Sequence, residues 1–169
     1  MAFSGMILFK GKEALTQTNE QKAVQEARAQ EQRFKEEWIK SLLKSIDEQL
    51  DEKTRAAIME ACGRDCARRW AIRLAEACKG DARKFVEAMA KGLGKENNYL
   101  KGNVAHLGYN KCLCNLVAEG PQKLSDTYCL CSKGWVLEMF EKVTQKPVKV
   151  ELLQSIKRGA PSCKFLIHI

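Results

Sequence analysis

The hydrophobic pattern changes period near Gly102, and no other feature limits the fold so much. Before that point apolar residues recur every three to four positions; after it they alternate with polar ones, except over 133–144. A helical period followed by a strand period predicts an α+β architecture, with N-terminal helices packed on a C-terminal antiparallel sheet and one helix inserted among the strands.

Residues 18–50 read as one long helix. Phe34, Trp38, Leu42 and Ile46 make one stripe, and Ile39, Leu43, Ile46 and Leu50 make the adjacent one. The early part, "TNEQKAVQEARAQEQ", is nearly all polar and suits an arm toward a partner or a second copy of the chain. A second helix over 52–78 sets Ile58, Cys62, Cys66 and Trp70 four apart on one face. Gly63 within it weakens a helix by about 1 kcal/mol relative to alanine, and so marks either close packing or a local break. After Gly80 and Asp81, the residues Phe85, Val86, Met89 and Leu93 give a short third helix.

Beyond Gly102, "KCLCNLV" is expected as a core strand with Cys112, Cys114 and Leu116 on one side. "SDTYCLCS" reads as a short strand or turn leading into a helix over 133–144. "KPVKVELLQSIKRGAPSCKFLIHI" reads as strand 147–156, a turn at 158–162 and strand 163–169. The expected organisation is a flexible segment over 1–17 and a single α+β domain over 18–169, helical to residue 100 and sheet plus helix from 101.

At 169 residues the chain suits about one domain with a real core. Its formal net charge of +8 is spread out: eight basic and eight acidic residues in 1–50, eleven and eight in 51–100, ten and five in 101–169. The densest cluster, Arg64, Arg68, Arg69 and Arg73, reads as a solvated helix face. No helix-turn-helix, zinc-finger or RNA-binding signature accompanies it, so no nucleic-acid partner is expected. No apolar run approaches the ~20 residues of a membrane helix, and no membrane partner is expected either. The run Met6 to Phe9 is too short for a signal-peptide core. These features predict a reducing, cytoplasmic setting, where grouped cysteines more often bind metal or react than form disulfides.

There are eight cysteines and two histidines. In a regular strand Cys-x-Cys sets two sulfurs on one face about 6–7 Å apart. Two thiolates on one zinc stand about 3.7–4 Å apart, so chelation asks for a bend in the backbone. "YCLCSKGW" lies where the chain turns into a helix, and Cys129 and Cys131 are the better ligand candidates; "KCLCNL" suits thiols packed into a sheet face. Cys62 and Cys66, at i and i+4 on a helix, can chelate or pack. Cys163 opens the last strand, across a hairpin from Glu151. His168 reads as an edge or surface residue, and His106, near Tyr109, as a structural residue that could join a pocket. Neither the zinc-ribbon nor the thioredoxin spacing is present.

From Tyr128 onward, "CLCSKGWVLEMFEKV", "KPVKVELLQSI" and "RGAPSCKFLI" resemble the 4-vinyl-reductase type of small-molecule-binding domain, over about the last 45 residues. The closing pattern, Gly159 followed by Cys163, Lys164, Phe165, Leu166 and Ile167, carries most of the likeness. With "ACGRDCA" added, the chain also resembles a bacterial group related to 2-amino-thiazoline-4-carboxylate hydrolases. The first resemblance implies helices on an antiparallel sheet, a pocket between them and a zinc ion beside it. By position it implies Cys129 or Cys131, Glu151 and Cys163 as ligands. Gln154 and Ser155 stand where a further cysteine is expected, leaving Cys62, Cys66 or the second member of the Cys129/Cys131 pair to complete the set.

The expected function is a sensor-like domain that binds a small hydrophobic or aromatic molecule. Its pocket would be lined by Trp70, Phe85, Tyr109, Trp135 and Phe140, with zinc nearby. The alternatives are a small-molecule hydrolase, using a metal-bound water or a cysteine nucleophile, and an interaction module that docks a partner or forms a homodimer through the long N-terminal helix.

Overall fold

The computed structural model describes residues 5–114, 116–117 and 124–169, the side chains of 5–18 excepted. The chain divides into two compact units, residues 1–39 with 115–118, and residues 40–114 with 119–169. Helix α1, Gly5–Gln49, supplies nearly all of the first unit and the opening turns of the second. Most of the expected flexible segment over 1–17 is therefore helical, while residues 1–4 lie outside the described residues. Of the two apolar stripes, Ile39 and Leu43 are buried, whereas Phe34, Trp38 and Leu42 are exposed.

In the second unit, α2 spans Glu52–Trp70, α3 Ile72–Ala77 and α4 Ala82–Leu93. Asp51 caps α2 by accepting from the Thr54 amide at 3.0 Å, and Asp81 caps α4 by accepting from the Lys84 amide at 2.9 Å. The helix expected over 52–78 breaks at Ala71, not at Gly63. Strands β1, Tyr99–Lys101, and β2, Val104–Tyr109, form a hairpin; α5, Leu130–Thr144, precedes β3, Lys149–Gln154, and β4, Cys163–His168, with a 3-10 turn at Ile156–Arg158 between them. The sheet runs β1-β2-β4-β3, and every pairing is antiparallel. The α+β architecture holds, with the inserted helix where the sequence predicts one.

One expected strand is missing. "KCLCNLV" follows β2 without regular structure in its described residues, and Leu113 and Leu116 are half exposed. The reason lies in the pairing: Tyr109, the last residue of β2, already faces Cys163, the first of β4, so the chain beyond has no strand to pair with.

Directly opposed residues in an antiparallel sheet share a face. Ala105 with Ile167, Leu107 with Phe165, and Tyr109 with Cys163 line the inner face, which α4 and α5 cover. Phe85 of α4 and Phe140 of α5 meet edge-to-face there at 5.1 Å, both fully buried. Each such ring contributes about 1.5–3 kcal/mol by burial. His106, Leu166 and Glu151 stand on the outer face, beside His168 and Lys149.

Candidate functional site

Two glycines determine how α2 meets α5. A methyl group at Gly63 would run into the Cys131 carbonyl oxygen and come within 2.8 Å of the Trp135 amide nitrogen. A methyl at Gly134 would run into the Glu60 carbonyl. The two backbones are thus in contact at the crossing, which only residues without a side chain allow. Gly63 is a close-packing glycine, and it brings the "ACGRDC" stretch of α2 onto the start of α5.

Ion pairs hold the flank of this crossing. The Arg64 guanidinium donates to Glu141 at 2.7 Å and to Glu138 at 3.3 Å, and Arg68 donates to Glu138 at 2.9 and 3.1 Å. Hydrogen bonds from Arg68 hold the Glu138 carboxyl below its ordinary range, burial opposes them, and Arg64 adds to them. Arg69 pairs with Asp65 at 2.8 Å. Three members of the arginine cluster are thereby engaged with carboxylates of this chain.

The start of α5 is tied down from several directions. The Leu124 amide donates to Lys157 O at 3.0 Å, and Arg158 donates to Asp126 O at 2.6 Å. The Thr127 hydroxyl donates to Asp47 at 2.6 Å. These bonds seat Cys129, which is buried, beside Ser155 and Cys163. Cys163 is buried too, accepts from the Ile156 amide at 3.4 Å and faces Tyr109 across the sheet. Cys112, a few residues past Tyr109, reaches the same place and acts electrostatically on both Cys129 and Cys163. The Ser155 hydroxyl, only 1% exposed, lies against the Cys129 thiol, and its hydrogen bonding opposes the effect of burial on that thiol.

The remaining cysteines of the region gather nearer the surface. The Tyr128 hydroxyl donates to the Cys114 sulfur at 2.9 Å. Cys131 stands one turn further on, its amide donating to Tyr128 O at 3.3 Å. Cys62 and Cys66 come from the facing side of α2 and are exposed. Burial, then the neighbouring thiols Cys114, Cys66, Cys62 and Cys129, push the Cys131 thiol up to about 12. Burial likewise raises Cys66, Cys129 and Cys163, each with another thiol adding to the effect. By their mutual influence Cys112 and Cys129 go with Cys163, and Cys114 and Cys131 with Cys62 and Cys66, with Cys129 acting on Cys131 as well. Only Cys78 stands apart, packed in the core.

Set against this geometry, the ligand set implied by the resemblance separates. Cys129 and Cys163 come together, and Cys131 lies beside them, but Glu151 does not join. It pairs with Leu166 on the outer face, where Lys149 at 2.8 Å and His168 at 3.0 Å engage its carboxylate. A hairpin brings Glu151 near Cys163 along the chain, yet one is on each side of the sheet. Cys112, which the strand reading of "KCLCNLV" had placed in a sheet face, instead lies near enough to influence both Cys129 and Cys163. Among the described residues no three His, Cys, Asp or Glu side chains form a group that holds a metal as the chain stands. The donors are of the right chemistry for a thiophilic ion, and binding requires them to draw closer.

The expected pocket aromatics do not converge. Trp70 is 84% exposed, while Phe85 and Phe140 fill the core against each other. Tyr109 lies near Phe165, its ring centre 6.1 Å away, and Trp135 is half-buried against the core. A surface depression of this unit is lined instead by Lys40, Leu43, Lys44, Asp47, Glu48, Leu124 and Ser125.

Among the described residues no helix is long and apolar enough to cross a membrane. No curated protein and no solved structure matches the chain. Residues 6–169 match the family of unknown function DUF6144, and the chain belongs to that family.

Proposed function

We propose that this chain is a thiol-based metal-binding domain of a sensor-like, non-catalytic kind, taking a thiophilic ion of zinc's class at Cys112, Cys129 and Cys163. The reading rests on Cys129 and Cys163, from two separate segments, adjoining the buried Ser155 hydroxyl, with Cys112 close enough to influence both thiols. Three protein ligands leave a fourth position of a tetrahedral ion open to an exchangeable small ligand. Ser155 and Tyr109 supply hydroxyls at that position. Thiolates bind the ion, and its charge reverses the effect of burial on these thiols.

Cysteine-nucleophile hydrolysis gains no support. A reactive cysteine needs a depressed pKa, whereas Cys66, Cys129, Cys131 and Cys163 are all raised. Neither histidine adjoins these thiols: His106 stacks on Tyr99 at 4.3 Å, and His168 lies at Glu151 on the outer face. All eight cysteines are free, as a reducing compartment such as the cytoplasm would keep them.

Zinc content of the purified protein tests the reading. Cys129→Ser and Cys163→Ser lose an ion, while Glu151→Gln, on the far face, retains it. An unchanged zinc content in both cysteine variants, or zinc lost from Glu151→Gln, contradicts the assignment.

A further inference from the structure

We infer that the chain carries a second, outer metal site, at which Cys62, Cys66, Cys114 and Cys131 close around a zinc-class ion as a structural tetrathiolate clamp between α2 and α5. The inference rests on the thiol-based reading above and adds an ion of a different kind.

Three features of the fold converge on it. First, Cys62 and Cys66 lie one helical turn apart, so their side chains emerge from one side of α2. Second, the backbone contact at Gly63 sets that turn of α2 directly against the Cys131 carbonyl. Third, the Tyr128 hydroxyl holds the Cys114 sulfur at 2.9 Å, and Cys131 follows Tyr128 in the same turn, its backbone amide donating to the Tyr128 carbonyl at 3.3 Å. Cys114, Cys66 and Cys62 stand near enough to influence Cys131, and Cys114 to influence Cys66, yet as the chain stands they do not form a metal-holding group, so the clamp forms only as the ion draws the four sulfurs together.

The two sets differ in what they can do. Four cysteines fill a tetrahedral ion and leave no open position, the form of a structural zinc site. The inner set, with three cysteines, leaves one position free. The outer ion would fasten α2, the segment after β2, and α5, adding to the Arg64 and Arg68 ion pairs and the Tyr128–Cys114 hydrogen bond already present. It would also fix one end of each Cys-Leu-Cys triplet while the other end serves the inner ion. The described segment 111–114 has no regular secondary structure, so it can move inward without breaking a strand pairing.

The experiment is zinc titration of the full, reduced chain, read as ions per chain, with mass-spectrometric mapping of the thiols that zinc protects from alkylation. The wild-type chain is expected to take about two ions and to protect both sets. Cys66→Ser is expected to lower this to about one, leaving Cys112, Cys129 and Cys163 protected. Cys112→Ser is expected to lower it to about one as well, leaving the outer four protected. Cys62, Cys66 and Cys112 are exposed or half-buried, so serine there leaves the core intact; a retained circular-dichroism melt verifies this. One ion per chain that Cys112→Ser removes and Cys66→Ser spares overturns the outer site and leaves the inner one standing. One ion that both variants remove points to a single shared centre and overturns the two-site assignment. No bound zinc at all overturns both this inference and the metal-binding function.

Discussion

Glu138 receives hydrogen bonds from two arginines while keeping only 18% of its side chain exposed. Arg68 chiefly, and Arg64 with it, hold its carboxyl below the ordinary range. The depressed value fixes the direction of the pH dependence. The stabilisation is complete above the unfolded pKa of about 4.3 and is lost as pH falls through the folded value. Denaturant unfolding across acid pH should show Glu138→Gln less stable than wild type at neutral pH, by about 1 kcal/mol given the exposed Arg68 partner. The gap should narrow below about pH 4. A constant gap down to pH 2 contradicts this role. Such a network could not be foreseen residue by residue. The arginine cluster is plain in the sequence, but its partners lie some seventy positions away on α5. Glu151 gives the opposite lesson: its nearness to Cys163 along the hairpin is plain, and the face it occupies is not. That face follows from the register, which pairs Glu151 with Leu166.

At the scale of elements, the crossing of α2 and α5 depends on two hydrogen atoms where other residues have side chains. Gly134→Ala would drive a methyl into the Glu60 carbonyl, a backbone atom that cannot turn aside. The expected loss is about 3 kcal/mol, read as a lower melting temperature and denaturation midpoint. Gly92→Ala, where an added methyl meets nothing within 4 Å, serves as the control and should change little. Equal stability of Gly134→Ala and wild type contradicts the close crossing. The helices themselves were readable because their apolar spacing is local. The strands around "KVELLQ" and "CKFLIH" were readable from alternation. "KCLCNLV" alternates just as well, yet it is not a strand. Alternation records which side chains could share a face, whereas a strand also needs a neighbour, and β4 ends its pairing with β2 at Tyr109. That misreading concealed the proposed site, because a segment free of the sheet can divide Cys112 and Cys114 between two thiol groups.

Across the whole molecule, the cysteines are arranged with more consistency than core packing asks. Phe85, Phe140, Phe165 and Ile167 already fill the inner face of the sheet, and only Cys78 and Cys163 among the thiols belong to that core. The others collect at one end of the second unit, on elements that Gly63, Gly134, Tyr128 and the bonds from Lys157 and Arg158 bring together. The composition announced the cysteines, and the resemblance pointed to Cys129, Cys131 and Cys163. Of the aromatic residues expected beside them, Phe85 and Phe140 went to the core and Trp70 to the surface. Metal ligation by thiolates is therefore the central claim. X-ray absorption at the zinc edge, on the full chain purified under reducing conditions, tests it most directly. The account predicts a first shell dominated by sulfur at about 2.3 Å. A shell of oxygen and nitrogen at about 2.0–2.1 Å, or protein that takes up no zinc, would contradict it.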